Sequence, residues 1–416
     1  MRPPFGSATL APIEMADRPT NWTGVLFGLA IAVVAAFQQF KLPPALPLMI
    51  DRYGYDRVLA GGFMSVFALA GLVLSWNLGR WMQRHGALPY LLGAFALTLA
   101  GTVLTLLHPE DGLVVLGART LEGIGFAVLA IAGPTFATVN AGPRHLPIAA
   151  ALTATWIPIG QVAAGAIAIP FLASGQWEPL WWVAIGVALA AIGWTLALHR
   201  SGAVDLGARP SGAAAAPPTA SERRAMVVVA IIFMLWSAQY IGTMTWLPQL
   251  LIDSYGLGRE GAVIAYTLPV VVVGAFNLVG GWALRAGARP TSLILAGLSA
   301  QAVVWAAMPW LGGGGLGAAG LVLYAVGAGV TPTCLFALPG MILGPGRAGA
   351  HAFGVLMVGR NLGVIAGPVG YAQAFALFGD WNGVAPLVAL LSLLPIVAVV
   401  PLIRAGRMAG GYGTRR

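Results

Sequence analysis

The sequence predicts an all-α integral membrane protein with twelve transmembrane helices in two pseudo-symmetric six-helix bundles. Three observations lead there. First, 58% of the 416 residues are hydrophobic and only 8% are charged, against about 25% charged in a soluble domain. Lipid must therefore be the solvent for most of the surface. Second, the apolar runs are about 20 residues long, the length that crosses a bilayer as helix. Third, residues 200–224, RSGAVDLGARPSGAAAAPPTASERR, form the one long polar, low-complexity stretch inside the chain. It reads as a loose linker, and the two halves beside it resemble each other.

Taken in order, the first half gives spans at 22–50, 58–79, 88–107, 113–138, 147–173 and 179–198. The second gives 226–252, 261–284, 291–310, 316–343, 350–378 and 384–403. Pro43, Pro44 and Pro47 should bend span 1 near one end, because a proline removes a helix hydrogen bond and crowds the preceding turn. Gly and Ala inside the spans suit close helix packing in lipid. The chain then divides into an N-terminal tail (1–21), a first bundle (22–198), a linker (199–225), a second bundle (226–403) and a C-terminal tail (404–416).

The internal repeat supports this division. LPLMIDRYGYDR at 46–57 answers LPQLLIDSYGLGR at 247–259. Pro47, Asp51, Tyr53, Gly54 and Arg57 match Pro248, Asp253, Tyr255, Gly256 and Arg259. GRWMQRHGALP at 79–89 then meets GGWALRAGARP at 280–290 without a gap, so Gly79, Arg84 and Gly86 match Gly280, Arg285 and Gly287. Trp, Tyr, Asp and Arg are scarce here, so their recurrence carries weight. A duplicated half with a loose connector is the mark of a two-fold transporter body.

Charge sets the expected orientation. With both termini in the cytoplasm, Arg80, Arg84, Arg144, Arg200, Arg209, Arg223, Arg224, Arg285, Arg289, Arg347, Arg404, Arg407, Arg415 and Arg416 face inward, with Arg2 and Arg18. Arg52, Arg57 and Arg259 face outward, as do Asp51, Asp56, Glu110, Asp111, Glu178, Asp253, Glu260 and Asp380. That is a positive-inside asymmetry and supports an even number of spans. The expected location is a bacterial inner (plasma) membrane, crossed many times. The net charge of +9 is scattered over short loops, which argues against a nucleic-acid partner. Cys334 is the single cysteine, so no internal disulfide forms and no metal site or cofactor is expected. No cleavable signal peptide is evident in 1–21. A monomer is expected.

Four ionisable residues fall inside the spans: Lys41, Arg119, Glu122 and Arg360. A charge near the bilayer centre costs at least ~2.5–3.5 kcal/mol, so each needs a partner or a watery cavity. Lys41 and Arg119 should sit about 10–14 Å below the outer surface, and Arg360 about 15 Å above the inner one, by helix rise. The three cations could converge on a central cavity. Arg119 and Glu122 share a helix face, so they form either a structural pair or a proton acceptor with a releasable counter-ion. Arg360 could instead reach backbone carbonyls, and Lys41 could snorkel outward. Three cations against one acid favour an anionic cargo, with a carboxylate suited to the arginine fork. Gln38, Gln39, Trp156, Gln161, Gln239, Tyr240, Tyr266, Asn277, Tyr324, Thr331 and Asn361 are polar or aromatic neighbours on the same set of helices. Each could simply pack; together they offer the few convergent polar groups a small ligand needs. No His lies mid-span and Cys334 is alone, so nothing supports an intramembrane enzyme.

At span 4 the sequence meets a known pattern. RTLEGIG at 119–125 resembles the Arg-x-x-x-Gly-x-Gly motif of the major facilitator superfamily. The twin stretches at 79–86 and 280–287 resemble that family's signature between helices 2 and 3 and between helices 8 and 9. Gln83 and Leu284 stand where the family usually has Asp, which puts its usual charge latch in doubt. WIPIG at 156–160, QWEPLWW at 176–182 and TWLP at 245–248 look most like the branch of cyanate and 2-nitroimidazole porters and related anion permeases. The resemblance implies alternating access between the bundles, with helices 1, 4, 7 and 10 lining the path. The expected function is secondary transport of a small organic or inorganic anion, proton-coupled or by exchange. Lys41, Arg119 and Arg360 would hold the anion, with Gln38, Tyr240, Asn361, Trp156 and Tyr324 around it. Protonating Glu122 would free Arg119. Gly79, Arg84, Gly86, Gly280, Arg285 and Gly287 would form the gating loops. The alternative is an exporter of drug-like or zwitterionic compounds.

Overall fold

The structure, a computed structural model, describes residues 19–142, 144–145, 149, 152–153, 155–207, 218–343 and 350–408. Residues 1–18 of the N-terminal tail, 208–217 of the linker and 409–416 of the C-terminal tail lie outside them, as do Arg347 and the start expected for span 5. The described residues contain twelve helices long and apolar enough to cross a membrane, and no strand.

The first span, α1 (Trp22–Tyr53), is two helical segments, Trp22–Phe40 and Leu42–Tyr53, meeting at Lys41. The prolines explain the break. Pro43 has no N–H to return to the Gln39 carbonyl, and Pro44 none for Phe40. Both occupy the first turn of the second segment, where proline is tolerated. The remaining helices of the first bundle are α2 (Arg57–His85), α3 (Leu88–Leu107), α4 (Gly112–Asn140), α5 (Trp156–Ala173) and α6 (Glu178–Ser201). Those of the second are α7 (Ala220–Tyr255), α8 (Arg259–Arg285), α9 (Pro290–Leu311), α10 (Gly315–Leu343), α11 (Ala350–Phe378) and α12 (Trp381–Met408).

Several ends differ from expectation. Helix α7 begins six residues earlier because Thr219 and Glu222 build a reciprocal capping box. Helix α12 runs on to Met408. The linker is not loose throughout: Val204 and Leu206 are buried, and the Leu206 carbonyl accepts the Ala87 N–H at 2.8 Å. Helices α2 and α8 extend to His85 and Arg285. Gly79, Arg84, Gly280 and Arg285 are therefore helical, and only Gly86 and Gly287 of the expected loop motifs lie outside the helices.

The repeat is visible in the backbone. Gly54 and Gly256 end α1 and α7 in the left-handed region at φ 66° and 64°. Gly86 and Gly287 follow α2 and α8 at φ 85° and 92°. Glycine alone adopts such angles without steric cost. Within the first bundle α4 packs on α1, α2 and α3; within the second α10 packs on α8 and α9, and α7 on α11. The bundles meet most extensively along two seams, α2 against α11 and α5 against α8, with a smaller contact of α1 on α7. Both seams are tight: a Cβ on Gly61 would lie 2.7 Å from the Pro368 carbonyl, and one on Gly165 would lie 2.5 Å from the Thr267 hydroxyl.

Candidate functional site

The break in α1 creates the first part of the site. It leaves carbonyls at Gln38 and Gln39 that accept from the Arg119 guanidinium on α4 at 3.1 and 2.9 Å. The Arg119 Nε–H donates to the Phe63 carbonyl at 3.2 Å, and the guanidinium carbon lies 3.9 Å from the centre of the Phe67 ring. Two further bonds run from Arg119 Nη1 to Glu122 Oε2 at 2.6 Å and from Nη2 to Met64 Sδ at 3.5 Å. Arg119 is thus held on every side and is fully buried.

The other Glu122 oxygen, Oε1, accepts from Lys41 Nζ at 2.8 Å and from the Thr102 hydroxyl at 2.7 Å. Lys41 Nζ also donates to Gln38 Oε1 at 2.8 Å and to Thr102 Oγ1 at 3.0 Å, and faces the Trp181 ring at 4.9 Å. Gln38 Nε2 in turn donates to the Ala184 carbonyl at 3.0 Å. All three ionised groups are completely buried. Two cations against one carboxylate leave a net positive charge. The ammonium has a partner for each of its three hydrogens, so Lys41 does not snorkel outward.

Arg360 is elsewhere. On α11 it is 8% exposed. Its Nη1 donates to Asn361 Oδ1 at 3.1 Å, and its Nη2 has no hydrogen-bond partner among the described residues. The Asn361 amide rests on Gly71 of α2, where a Cβ would come within 2.8 Å of it. Gly71 lies eight residues beyond Phe63 on α2, about 12 Å along the helix. Among the described residues no hydrogen bond or ion pair joins Arg360 to Lys41, Arg119 or Glu122. The structure therefore brings Lys41 and Arg119 together but does not bring Arg360 to them; the expected meeting of three cations is corrected to a closed triad and a separate guanidinium.

A neutral cluster lies at the meeting of the bundles. The Tyr240 hydroxyl on α7 donates to Gln161 Oε1 on α5 at 2.9 Å, and the Tyr240 ring stacks on Trp236 at 5.0 Å. The Tyr324 hydroxyl on α10 donates to Gln239 Oε1 at 3.3 Å. The Tyr371 hydroxyl on α11 donates to the Gln239 carbonyl at 3.0 Å and lies 2.9 Å from Thr243 Oγ1. Among the described residues, the Gln39 side-chain amide, the amide nitrogen of Gln239 and the Trp236 indole N–H are buried without hydrogen-bond partners. Trp156 is half-buried and stacks on Phe126 at 5.9 Å, so it packs rather than joining this cluster.

The sequence reading missed Thr102, Trp181, Trp236, Thr243 and Tyr371. A threonine or aromatic in an apolar span carries no signal of its own; only the partners across the bundle mark it. Arg84 and Arg285, at the ends of α2 and α8 nearest the termini, are exposed. That agrees with the absence of the Asp expected beside them in sequence.

A family model described as the Major Facilitator Superfamily matches residues 28–368. Among solved structures, the human organic anion transporter MFSD10 (TETRAN) is similar at 16% identity, covering 92% of this chain and 100% of its own, with a TM-score of 0.69. A POT family transporter in complex with 5-aminolevulinic acid is similar at 14% identity, covering 94% of this chain and 97% of its own, with a TM-score of 0.73. At these identities the likeness is one of fold. No curated protein matches the sequence.

Proposed function

This chain belongs to the Major Facilitator Superfamily, and on that premise we propose that it moves a small anion through the membrane by alternating access of its two bundles. It is a transporter and not an enzyme. The observation that carries the anionic cargo is Arg360: a buried guanidinium that, among the described residues, has no acid beside it and one nitrogen unpartnered. A lone cation inside a membrane protein is costly, and a carboxylate or small inorganic anion that docks there offsets the cost. Arg360 and Asn361 form the anion anchor in this reading. Tyr240, Tyr324 and the amides of Gln161 and Gln239 supply neutral hydrogen bonds to the rest of the cargo.

Lys41, Arg119 and Glu122 then act as the coupling group rather than as direct ligands. A proton on Glu122 discharges the triad's only acid and loosens Lys41 and Arg119 together, which links proton movement to rearrangement of α1 against α4. The resemblance to cyanate and 2-nitroimidazole porters fits a small anion and belongs to the same proposal. So do a bacterial inner membrane, cytoplasmic termini and a monomeric working unit. The orientation is supported by the exposed arginines Arg84, Arg144, Arg200, Arg285 and Arg289 at the end of the bundles near the termini.

One observation favours the second reading, a drug-like or zwitterionic cargo: the Trp236–Tyr240 stack and its orphaned amides are uncharged. Uptake into proteoliposomes separates the two. Arg360→Gln abolishes uptake of small carboxylates or inorganic anions while the purified variant stays monodisperse and folded. Undiminished anion uptake by the variant overturns the anchor. Transport of neutral compounds alone by the parent protein supports the second reading.

A further inference from the structure

Two ion pairs cross between the bundles at the end opposite the termini. Arg57 Nη1 at the start of α2 reaches Asp253 Oδ2 near the end of α7 at 3.0 Å. Arg259 Nη2 at the start of α8 reaches Asp51 Oδ2 near the end of α1 at 2.7 Å. These four residues are repeat partners, Asp51 with Asp253 and Arg57 with Arg259. Each half therefore gives its arginine to the other half's aspartate. The exchange obeys the two-fold relation between the bundles, so both pairs close or part in the same motion.

The surroundings of the two pairs differ. The Arg57 guanidinium carbon lies 4.0 Å from the Phe375 ring centre, and Asp253 also accepts from Trp381 Nε1 at 3.1 Å and Gln249 Nε2 at 2.7 Å. Its side chains are 30% and 25% exposed, against 45% and 54% for Arg259 and Asp51. Partial burial and extra hydrogen bonds strengthen a pair, whereas an exposed one is worth little. Beneath the pairs lies an apolar seam of Pro47, Leu48, Pro248, Ile252 and Val263, with room for no more than a water molecule, about 10 Å³. The repeat prolines Pro47 and Pro248 both line it, one in each of the two helices that must separate.

We infer that Asp51, Arg57, Asp253 and Arg259 are a reciprocal latch that holds this face of the transporter shut, with Arg57–Asp253 as the stronger member. Opening the face to its solution parts both pairs at once and exposes the proline seam. The inference rests on the transporter reading but not on the identity of the cargo. With both pairs made, the latch biases the resting protein toward opening at the other end.

The test measures access rather than uptake. Leu48→Cys, in a Cys334→Ser background, reports on the seam, because Leu48 is 5% exposed and lines it. An impermeant maleimide is applied to vesicles from the side of the 54–56 turn. Arg57→Gln with Arg259→Gln raises the labelling rate about tenfold, most of it from Arg57→Gln alone. Exchanging charges, Asp51→Arg with Arg259→Asp, keeps the parent rate. Should the neutralised variants fail to fold, the parent reporter decides. Raising the salt from about 0.01 M to 1 M shortens the screening length from about 30 Å to about 3 Å and speeds labelling. Labelling that is indifferent to salt and, in folded variants, to both neutralisations overturns the latch. Because no substrate is added, this outcome is distinct from a failure of the anion anchor.

Discussion

Arg119 shows how one side chain can repair a backbone defect and create a charge problem in the same place. It caps carbonyls at the interruption of α1, which no helix partner serves, but it brings a full charge into the membrane core. Glu122 answers that charge and holds Lys41 as well. Glu122 is therefore the member the triad cannot spare. Glu122→Gln leaves two buried cations without an anion and should lower stability by about 3–5 kcal/mol, read as a drop in the unfolding temperature of the detergent-solubilised protein. Lys41→Met should cost less, since Arg119 still neutralises Glu122. Equal losses in the two variants would show that the cations do not share the carboxylate. The sequence made the charges legible, because four ionisable residues inside apolar spans stand out at once. It did not show their partners. Thr102 and Trp181 are far from Lys41 in the chain, and their roles come only from the packing of α3 and α6 around α1.

Helix α11 is fitted to α7 by a ladder of glycines. A Cβ at Gly359, Gly363 or Gly367 would lie 2.1, 2.1 and 2.2 Å from the carbonyl oxygens of Ala230, Met234 and Ala238. The four-residue step keeps the three on one face of α11 and matches the same step on α7. In lipid, where apolar burial between helices gains little, such close backbone contact supplies the attraction through dispersion. Gly363→Ala must push the helices apart, and should destabilise by about 1–3 kcal/mol. Gly370→Ala, on the same helix with no atom within 4 Å of the added carbon, should be neutral or slightly stabilising through helix propensity. Thermal unfolding of the two variants side by side checks the claim, and matching shifts would sink it. The high glycine content foretold tight packing but not this pairing. Element ends were misjudged for a related reason: the Thr219–Glu222 capping box is polar, so a hydropathy reading starts α7 too late.

At the scale of the whole molecule the duplication was the most legible feature. The motifs around Asp51 and Asp253, and around Gly79 and Gly280, lie at matching places in the two bundles, and their turn glycines have matching dihedral angles. What the repeat hid is the divergence between its copies. The first half encloses a charged triad where α1 meets α4. The second encloses the uncharged group of Gln239 and Tyr324 where α7 meets α10. Positional likeness thus frames the fold, while the chemistry sits where the copies have drifted apart. The crossed pairs Arg57–Asp253 and Arg259–Asp51 have a further consequence. Their geometry is that of an isologous dimer, in which each subunit offers the same patch to the other. The covalent tether between residues 208 and 217 therefore adds local concentration rather than recognition. Two polypeptides divided within that tether and made together in one cell should find each other and restore uptake, whereas either alone should not.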